Sequence, residues 1–362
     1  MPSQPPVVVV EDDPWTRLIG VVLDPATSEE RRAALADFMA HDQPDFAGWC
    51  DALRRRAGSL YPSAVRLVPS QAELSGNLPP ARALVVESFA VGATELACAP
   101  HLKVVHKYGA VLRNIEVAAC AAAGVKVLSV RRRANISCAE HVFVLMLTLA
   151  RRIHRINRLI SVEQLAAAKL PYKPFDRRHV PGANWVRIGG IRSLHGSKIG
   201  IIGLGEIGRE VALRAAPFGM NIVYFQRTQL PPREEAMLQV AYQPLDRLLA
   251  ESDWVVPQLP GGPATRHFID AKRLALMKPG ACLINVSRAD IVERDALIAA
   301  LSSGHLGGFA LDPPYEVPGR PDDELLSFDN VVLTPHMAGS PRSNGLSDIE
   351  DLIIGLAHAI FD

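Results

Sequence analysis

The chain has 362 residues, which is enough for two domains and for a core that is stable without disulfides or bound metal. Apolar residues make up 48% and charged residues 21%, and the net charge is +1; these values argue against a disordered chain and against a large nucleic-acid or anionic-membrane surface. The five cysteines are scattered without a CxxC pair, which argues against a disulfide framework or a metal cluster and indicates a reducing, cytoplasmic location.

Strand-like and helix-like segments alternate in the part of the chain before Arg131. The apolar run Val7–Val10 is followed by acidic residues and lacks the basic start of a signal peptide. Ser28–Ala40 has helical periodicity and an acidic first turn. A further helix is predicted to end at Gly124, and such alternation predicts a parallel α/β sheet. Four β-branched runs are predicted as strands: Leu18–Asp24, Ala83–Ser88, Leu102–Gly109 and Val125–Val130.

A long helix and an irregular segment precede a second α/β series. Ala139–Ile160 is apolar in its first half and basic at its end, which predicts a helix buried in a core or against another subunit. Pro171–His195 is rich in Pro, Gly and Arg and is predicted to be an arm or linker. The longest apolar stretch, Val142–Ala150, is too short to cross a bilayer. Strands are predicted in the segments KIGIIGLG, NIVYF, DWVVPQL, ACLINVS, GFALD and NVVLTPH.

A glycine motif lies in the segment KIGIIGLGEIGREVALRAAPFGMNIVYF, with GxGxxG spacing at Gly203, Gly205 and Gly208. It follows an apolar strand, begins an amphipathic helix and leads to a second strand, which is the context that a dinucleotide-binding turn requires. The first glycine permits a tight turn, the second lets the backbone approach a pyrophosphate, and the third lets the helix pack close to the strand. The helix N-terminus then offers free N–H groups to phosphates. The alternative is a glycine turn in a βα unit that binds no nucleotide.

The end of the second strand of this motif bears on the choice between NAD and NADP. NAD sites place an acid there that binds the ribose 2′-hydroxyl, but no acidic residue occurs between Glu210 and Glu234. The strand ends in FQRT, where Gln226 precedes Arg227, and a guanidinium can pair with a 2′-phosphate. The sequence therefore favours NADP over NAD, the alternative for Arg227 being a surface position in an arginine-rich chain.

From Leu102 onward, eight motifs occur in one order: KYGAVLRNIEVAACAAAGVKV, AEHVFVLMLTLARR, GIIGLGEIGREVA, FGMNIV, LPGGPATRHFI, MKPGACLINVSRADIVERDAL, GFALD and NVVLTPHMAGS. Together they resemble the D-isomer-specific 2-hydroxyacid dehydrogenases. The resemblance implies an α/β fold with two doubly wound parallel-sheet domains. A Rossmann-type dinucleotide-binding domain, at residues 135–336, would be inserted in a flavodoxin-like substrate-binding (catalytic) domain at residues 1–134 and 337–362, with cofactor and substrate in the cleft between them.

Two residues in these motifs fit hydride-transfer chemistry on a 2-oxo acid. Arg288, in NVSRAD, follows a predicted strand, and its guanidinium can hold the acid bidentately and polarise its carbonyl group. His336, in TPHMAG, can protonate the developing alkoxide because imidazole titrates near neutral pH. In the family, these positions carry the catalytic Arg and the catalytic His. For isolated residues the alternatives are a surface cation and a cap or core histidine.

The third catalytic position departs from the family pattern. The family places a Glu shortly after the Asp at the end of the GFALD strand, where it binds the catalytic imidazole and raises its pKa. Aligned without a gap from Asp312, that position holds Val317, and Glu316 comes one residue earlier. Either the Pro313–Pro314 pair redirects the loop so that Glu316 reaches His336, or the acid is absent; we favour the first. The alternative for Glu316 is a solvated loop carboxylate.

The resemblance also implies the binding residues. Glu206 and Ile207 would present backbone N–H groups to the pyrophosphate. Other implied cofactor contacts are Pro260, Val286, Ser287, Asp312 and the stretch from His336 to Gly339. The substrate carboxylate would be bound by Gly109, Ala110 and Val111, although the family more often has a second Gly where Val111 stands. Lys107 or Arg131–Arg133 can bind a phosphate or second carboxylate of a larger substrate, the alternative for the Arg run being a solvated basic turn.

The expected activity is NAD(P)-dependent reduction of a 2-oxo acid, which is glyoxylate, hydroxypyruvate or a bulkier 2-oxo acid, to the R-hydroxy acid. The family resemblance further implies a homodimer in contact through the long helix and the arm. One alternative is a dehydrogenase of a phosphorylated 2-hydroxyacid. Another, from a different class, is a dinucleotide-sensing binding protein with weak catalysis, which fits a lost Glu at Val317. Retention of Arg288 and His336 favours the enzyme, and no nucleic-acid or membrane partner is expected.

Overall fold

The chain forms two compact units in a computed structural model that describes residues 4–170 and 172–361. Unit 1 comprises Met1–Ser137 and Gly339–Asp362, and unit 2 comprises Cys138–Ala338. Unit 2 is therefore an insertion in the sequence of unit 1. Pro171, the first residue of the predicted arm, lies outside the described residues.

Unit 1 is built on a parallel sheet of five strands, which lie in the order β2-β1-β3-β4-β5. This is the strand order of flavodoxin-like folds. The order reverses between β1 and β3, and ligands of such sheets bind outside the carboxyl ends of the strands at this reversal. The strands are β1 (Val7–Glu11), β2 (Ala64–Val68), β3 (Ala81–Val86), β4 (Val104–Lys107) and β5 (Lys126–Ser129).

Helices cover both faces of this sheet, and the side chains of β1 show why. Val8 and Val10 pack in a cluster with α1, α3 and α15, whereas Val9 packs on the other face with α4 and α6. A strand that is buried on both faces needs apolar residues at successive positions. The helices of this unit are α1 (Arg17–Leu23), α2 (Glu29–Met39), α3 (Phe46–Ala57), α4 (Gln71–Asn77), α5 (Ala93–Ala97), α6 (Val117–Ala122) and α15 (Ser343–Phe361).

The prediction of a strand at Leu18–Asp24 is wrong, because this segment forms α1. Every residue from Leu18 to Leu23 is buried, so the helix is apolar around its whole circumference. Periodicity does not distinguish such a helix from a buried strand when the run is short. The helix ends at Asp24, which returns to extended backbone and accepts hydrogen bonds from the backbone N–H groups of Ala26 and Val65.

The long predicted helix is α7 (Arg133–Arg151), which begins earlier and ends earlier than its sequence pattern indicates. Its first N–H groups need partners from outside the helix. The carboxylate of Asp348 accepts from the backbone N–H of Arg133 at 2.9 and 3.1 Å and pairs with the guanidinium of the same residue. Because Asp348 lies far away in the sequence, no local pattern marks this start. The helix ends before Arg152, which has a left-handed backbone (φ 53°).

Unit 2 contains a parallel sheet of seven strands in the order β12-β11-β10-β9-β6-β7-β8. When β6 is numbered as strand 1, the strands from β8 to β11 lie in the order 3-2-1-4-5-6, which is the Rossmann order. The order reverses between β6 and β9. Each strand segment predicted in this part of the chain is present. The strands are β6 (Lys198–Ile202), β7 (Asn221–Phe225), β8 (Ala241–Tyr242), β9 (Trp254–Pro257), β10 (Cys282–Asn285), β11 (Gly308–Leu311) and β12 (Val331–Leu333).

Helices flank this sheet, and the described residues 172–195 form neither helix nor strand, as predicted for an arm. Within residues 4–170 and 172–361, no helix combines the length and the apolar character needed to cross a membrane. The helices of unit 2 besides α7 are α8 (Ile153–Ile156), α9 (Val162–Ala167), α10 (Glu206–Ala215), α11 (Pro232–Leu238), α12 (Leu245–Glu251), α13 (Ala271–Leu276) and α14 (Arg294–Ser302).

Candidate active site

The glycine turn connects β6 to α10 and is shaped by two close backbone approaches. Gly203 has φ +96°, and a Cβ placed on it would lie 2.4 Å from the carbonyl oxygen of Gln258. A Cβ on Gly208 would lie 2.3 Å from the carbonyl oxygen of Gly203. Gly205, by contrast, has no atom within 4 Å of its Cβ position, and it immediately precedes the first turn of α10, which contains Glu206 and Ile207. The backbone is therefore closely packed at Gly203 and Gly208, whereas the space beside Gly205, at the N-terminus of α10, is open.

The end of β7 carries Gln226 and Arg227. Gln226 is half-buried, and its amide donates to the carbonyl oxygen of Thr228 at 2.7 Å. Arg227 is exposed, and its guanidinium makes no hydrogen bond or ion pair with any residue in the described part of the chain. The guanidinium is therefore available to an anion from solution.

The loop after β10 presents Arg288 from a rigid base. Asn285 is fully buried; its side chain accepts from the backbone N–H of Ser287 at 2.9 Å and donates to the carbonyl oxygen of Arg288 at 2.7 Å. The Ser287 hydroxyl donates to the carbonyl oxygen of Pro257 at 2.9 Å, which ties this loop to the end of β9. Arg288 is exposed, and a Cβ on Gly261 would lie 2.9 Å from its Cγ atom. The guanidinium thus extends from a fixed backbone across a glycine.

The loop after β12 carries His336 and is held by Asp312 at the end of β11. The Asp312 carboxylate is fully buried and accepts from the Thr334 hydroxyl at 2.7 Å and from the backbone N–H groups of Met337 and Ala338, both at 2.9 Å. The backbone N–H of His336 donates to the carbonyl oxygen of Asp312 at 2.9 Å. His336 has a left-handed backbone, with φ 55°, and it is exposed. Four hydrogen bonds therefore fix the loop from which the imidazole projects.

Glu316 and Val317 lie in an exposed loop after β11, and Val317 is 80% exposed. Among residues 4–170 and 172–361, no hydrogen bond or ion pair is made by the carboxylate of Glu316 or by the imidazole of His336. The structure therefore does not join Glu316 to His336. The nearby Tyr315 is anchored, because its hydroxyl donates to the carbonyl oxygen of Val292 at 3.0 Å, and burial raises its pKa.

The other predicted cofactor contacts of unit 2 follow the same strands. Pro260 lies in the loop after β9, and its carbonyl oxygen accepts from the Thr265 hydroxyl at 2.5 Å. Val286 is buried directly after β10. The structure thus places Gly203, Pro260, Val286, Arg288 and His336 on loops that leave the carboxyl edge of one parallel sheet, where ligands of open α/β sheets bind. Gly339 is half-buried and belongs to unit 1.

In unit 1, the predicted substrate loop follows β4. Gly109 is buried with φ 152°, Ala110 is exposed and Val111 is half-buried. Lys107, just before this loop, is buried, and its ammonium donates to the carbonyl oxygen of Glu87. The ammonium of Lys107 therefore has a contact within unit 1.

Arg132 lies 4.3 Å from the centre of the Tyr108 ring, and its guanidinium is 3.8 Å from the Glu87 carboxylate. Burial raises the pKa of Glu87, whereas Lys107 and Arg132 act in the opposite direction. Burial also raises the pKa of Tyr108 to about 12. This group of charges is held inside unit 1, at the carboxyl ends of β3 and β4.

Comparison with known proteins identifies the family. Residues 143–338 match the family described as "D-isomer specific 2-hydroxyacid dehydrogenase, NAD binding domain". The chain is also 35% identical to a glyoxylate reductase of Pyrococcus furiosus over 242 residues, which are 67% of this chain and 68% of that protein. The chain belongs to the D-isomer specific 2-hydroxyacid dehydrogenases. It is thus an oxidoreductase that uses a nicotinamide dinucleotide and a small 2-oxo or 2-hydroxy acid, and the predicted family, fold class and enzyme class are confirmed.

Two further similarities show the range of this family of dehydrogenases. A D-3-phosphoglycerate dehydrogenase of Mycobacterium leprae is 34% identical over 273 residues, which are 75% of this chain and 48% of that protein. The chain is also similar to a crystal structure of a glyoxylate reductase from Paecilomyes thermophila. The superposition covers 100% of this chain and 97% of that chain, with a TM-score of 0.55 and 24% identity. The latter shows the shared fold.

The glycine turn of this 2-hydroxyacid dehydrogenase fits the dinucleotide that the family uses. The open Cβ position at Gly205 leaves room for a pyrophosphate against the backbone, and the first-turn N–H groups of α10 point to that room. Sequence reasoning missed three buried polar residues that contact loops: Glu11 accepts from the backbone N–H groups after β3, the Nε2 atom of His141 lies 3.1 Å from the Thr334 hydroxyl oxygen, and Asn285 holds the Arg288 loop. Each is a buried polar residue in or directly after an apolar run, and this contrast is the sequence signal that could have found them.

Proposed function

We propose that this dehydrogenase reduces a small 2-oxo acid to the R-2-hydroxy acid, with Arg288 as the substrate anchor and His336 as the acid/base. The observation that carries this proposal is the pair of fixed loops at one sheet edge. Asn285 holds the loop that presents Arg288, Asp312 holds the loop that presents His336, and both side chains are exposed. Such preorganised charge is the main source of catalysis in polar reactions.

In the proposed reaction, the nicotinamide, His336 and Arg288 each have a separate role. Bound reduced nicotinamide supplies a hydride to C2 of the 2-oxo acid. As the C=O π bond breaks, its electron pair goes to the oxygen, which takes a proton from the imidazolium of His336. Arg288 binds the carboxylate and polarises the carbonyl through its planar fork of N–H donors. The reverse reaction uses neutral His336 as the base.

The test follows oxidation of NADPH and NADH over a panel of 2-oxo acids that includes glyoxylate and hydroxypyruvate. Arg288→Lys should lower kcat/KM about 100- to 1000-fold, the cost typical of losing one preorganised donor to the transition state. Dinucleotide affinity should stay unchanged. Arg247→Lys is the matched control, because Arg247 is an exposed residue on α12 that pairs with Glu251. Tight dinucleotide binding by a wild-type protein without turnover would instead favour a sensing protein.

We keep Glu316 as the candidate acid for His336 on its sequence position alone, one residue before the family position at Val317, although the structure does not join the two side chains. If the Glu316 carboxylate binds the imidazolium of His336 during the reaction, Glu316→Gln should lower kcat/KM, because that contact stabilises the positive charge. Val317→Glu places an acid at the family position and serves as the comparison. A pH profile of kcat/KM that is the same in wild type and Glu316→Gln would remove Glu316 from the mechanism.

We propose NADPH as the preferred cofactor, with Gln226 and Arg227 at its 2′-phosphate. Two observations support this choice: the exposed guanidinium of Arg227 has no partner in the part of the chain that the structure describes, and the end of β7 carries no acid. Arg227→Ala should raise KM for NADPH about tenfold, which corresponds to the loss of one charge-assisted contact, and should leave KM for NADH unchanged. A wild type that prefers NADH would refute the preference and keep the enzyme.

For the substrate, we propose a small, unphosphorylated 2-oxo acid of the glyoxylate or hydroxypyruvate class, whose carboxylate is also bound by Gly109, Ala110 and Val111. The internal contacts of Lys107 and Arg132 support this choice, because these basic groups are engaged with Glu87 and Tyr108. A higher kcat/KM for a phosphorylated 2-oxo acid than for hydroxypyruvate would overturn it.

We also propose a homodimer that forms through α7 and the segment after it. Large apolar side chains are exposed along this part of unit 2, and such a surface is typical of an interface. Size-exclusion chromatography with light scattering should give two chains per particle, and Ile160→Asp should give one. A single chain per wild-type particle would refute the proposal. The exposed apolar residues are Val144, Ile153, Ile160, Val162, Tyr172 and Val180.

A further inference from the structure

A buried carboxylate controls the loop that carries His336, and it has a partner outside that loop. The carboxylate of Asp312 has no exposed surface and accepts hydrogen bonds from Thr334, Met337 and Ala338. In the described part of the chain, no Lys or Arg forms an ion pair with it. Burial of a carboxylate is costly unless several donors and a countercharge compensate it.

The partner outside the loop is His141, in the first half of α7. Its Nε2 atom lies 3.1 Å from the Thr334 hydroxyl oxygen and 3.4 Å from the Asp312 carboxylate. The side chain of His141 is only 10% exposed. The imidazole therefore reaches both groups that hold the loop from a helix that is not part of the loop.

The direction of these hydrogen bonds follows from the number of hydrogens. A hydroxyl has one hydrogen, and the short 2.7 Å contact assigns that of Thr334 to the Asp312 carboxylate. The Thr334 oxygen can then only accept from His141, so Nε2 carries the hydrogen in this contact. The same N–H also points toward the negative charge of Asp312. His141 thus serves as a donor to the oxygen atoms that fix the loop.

We propose that His141 is a positioning residue for the reductase reaction: through Thr334 and Asp312, it holds the loop that presents His336. This inference rests on the proposed role of His336 as the acid/base. His141 is buried and its Nε2 atom is committed to the loop, so its effect on turnover is indirect. Small displacements of a catalytic group carry a large kinetic cost, because proton transfer needs a well-aligned donor.

The alternative is that His141 only fills space in the core. Its helical neighbours Val142, Leu145 and Met146 are buried apolar residues, and a phenylalanine has nearly the shape of a histidine. If His141 only fills space, an apolar ring of this size substitutes for it without a kinetic penalty. If it positions the loop, only a side chain with a donor at the Nε2 position substitutes for it.

The kinetic experiment compares His141→Phe with His141→Gln, whose amide nitrogen comes close to the Nε2 position. His141→Phe should lower kcat about 10- to 100-fold, the cost of a displaced catalytic group, with KM for the cofactor unchanged. His141→Gln should restore most of the lost kcat. Thr334→Val combined with His141→Phe should be no worse than the poorer single variant, because both remove the contact between His141 and Thr334. The control is His305→Phe, which removes a histidine contact with the Leu274 carbonyl oxygen on α13.

A second measurement does not depend on turnover. Hydrogen exchange of the peptide that contains residues 334–338 reports whether the Met337 and Ala338 amides remain bonded to Asp312. In the protein without ligand, His141→Phe should speed exchange of these amides about tenfold or more, and His141→Gln should keep wild-type protection.

These readouts separate the two claims. A wild type without turnover refutes the proposed function, and the exchange data still test His141. Unchanged kcat and unchanged exchange in His141→Phe refute the positioning role, as does a His141→Gln variant that is as impaired as His141→Phe.

Discussion

The same substitution, glycine to alanine, is expected to lower stability at Gly208 and to weaken dinucleotide binding at Gly205. At Gly208 the new Cβ would lie 2.3 Å from the carbonyl oxygen of Gly203, and a normal contact of this kind is at least 3.0 Å. The Gly203 turn and α10 must therefore separate by about 0.7 Å. At Gly205 no atom lies within 4 Å and φ is −79°, so the protein itself tolerates the methyl group.

The magnitudes follow from these distances. Overpacking of this kind costs about 1–3 kcal/mol, and we expect Gly208→Ala in the upper half of this range because the opposing atom is backbone. For a unit of this size, that lowers Tm by about 4–12 °C. Gly205→Ala should change stability by less than about 1 kcal/mol. Its methyl group occupies the room assigned to the pyrophosphate, so the Kd of the dinucleotide should rise about tenfold, which corresponds to about 1.4 kcal/mol.

The assay pairs thermal unfolding of the ligand-free protein with fluorescence titration of NADPH and NADH. Gly76→Ala is the control, because nothing lies within 4 Å of its Cβ position and it is in unit 1. A wild-type Tm for Gly208→Ala would refute the close-approach argument. Wild-type dinucleotide affinity for Gly205→Ala would refute the placement of the pyrophosphate at this turn.

Two further predictions concern unit 1. Burial lowers the pKa of His106 from 6.5 to about 4, so below pH 6.5 the unfolded chain binds a proton that the folded chain excludes, and stability falls as pH drops from 6.5 toward 4. At pH 5 the free energy of unfolding is lower than at pH 7 by about 2 kcal/mol for this reason. The difference between the urea midpoints at pH 7 and pH 5 should therefore be smaller in His106→Gln than in the wild type. Glu11→Gln should destabilise the protein by about 1.5–3 kcal/mol in the same assay. The buried carboxylate of Glu11 accepts from the backbone N–H groups of Glu87, Ser88 and Phe89. In the variant, the amide nitrogen of the glutamine would face these donors and could not accept from them. A Glu11→Gln urea midpoint equal to that of the wild type would contradict this reasoning.

Most strands of both sheets are predicted from the sequence because each is a short apolar run bounded by turn residues. The strands β1, β2 and β8 are absent from that prediction. The Rossmann part is clearest, since the glycine spacing adds a second signal to the apolar run at β6. The error at α1 has a physical cause: a helix buried on all sides loses the polar face that marks its period. The start of α7 is hidden for another reason, because its N-terminal partner, Asp348, comes from α15.

Candidate site residues that lie in a recognisable motif can be predicted from the sequence. Those whose role depends on contacts with residues distant in the sequence cannot. Arg288 and His336 stand out through their surrounding motifs. The contact between Glu316 and His336 depends on how an exposed loop bends, and the structure does not form it. His141 lies in a run that indicates a buried helix, so its polar contacts become visible only when Thr334, distant in sequence, is placed beside it.

The discontinuity of unit 1 has a consequence for how the chain folds during synthesis. Leu346, Ile349 and Leu352 of α15 pack in the same cluster as α1 and α3, but about 200 residues of unit 2 are made in between. At the usual rates of translation, about 5–20 residues per second, the first part of unit 1 waits about 10–40 s for the helix that covers it. Unit 2 is continuous and can fold as soon as it emerges from the ribosome. Unit 1, although translated first, is completed last, and the valine- and leucine-rich face that α15 covers stays uncovered until then.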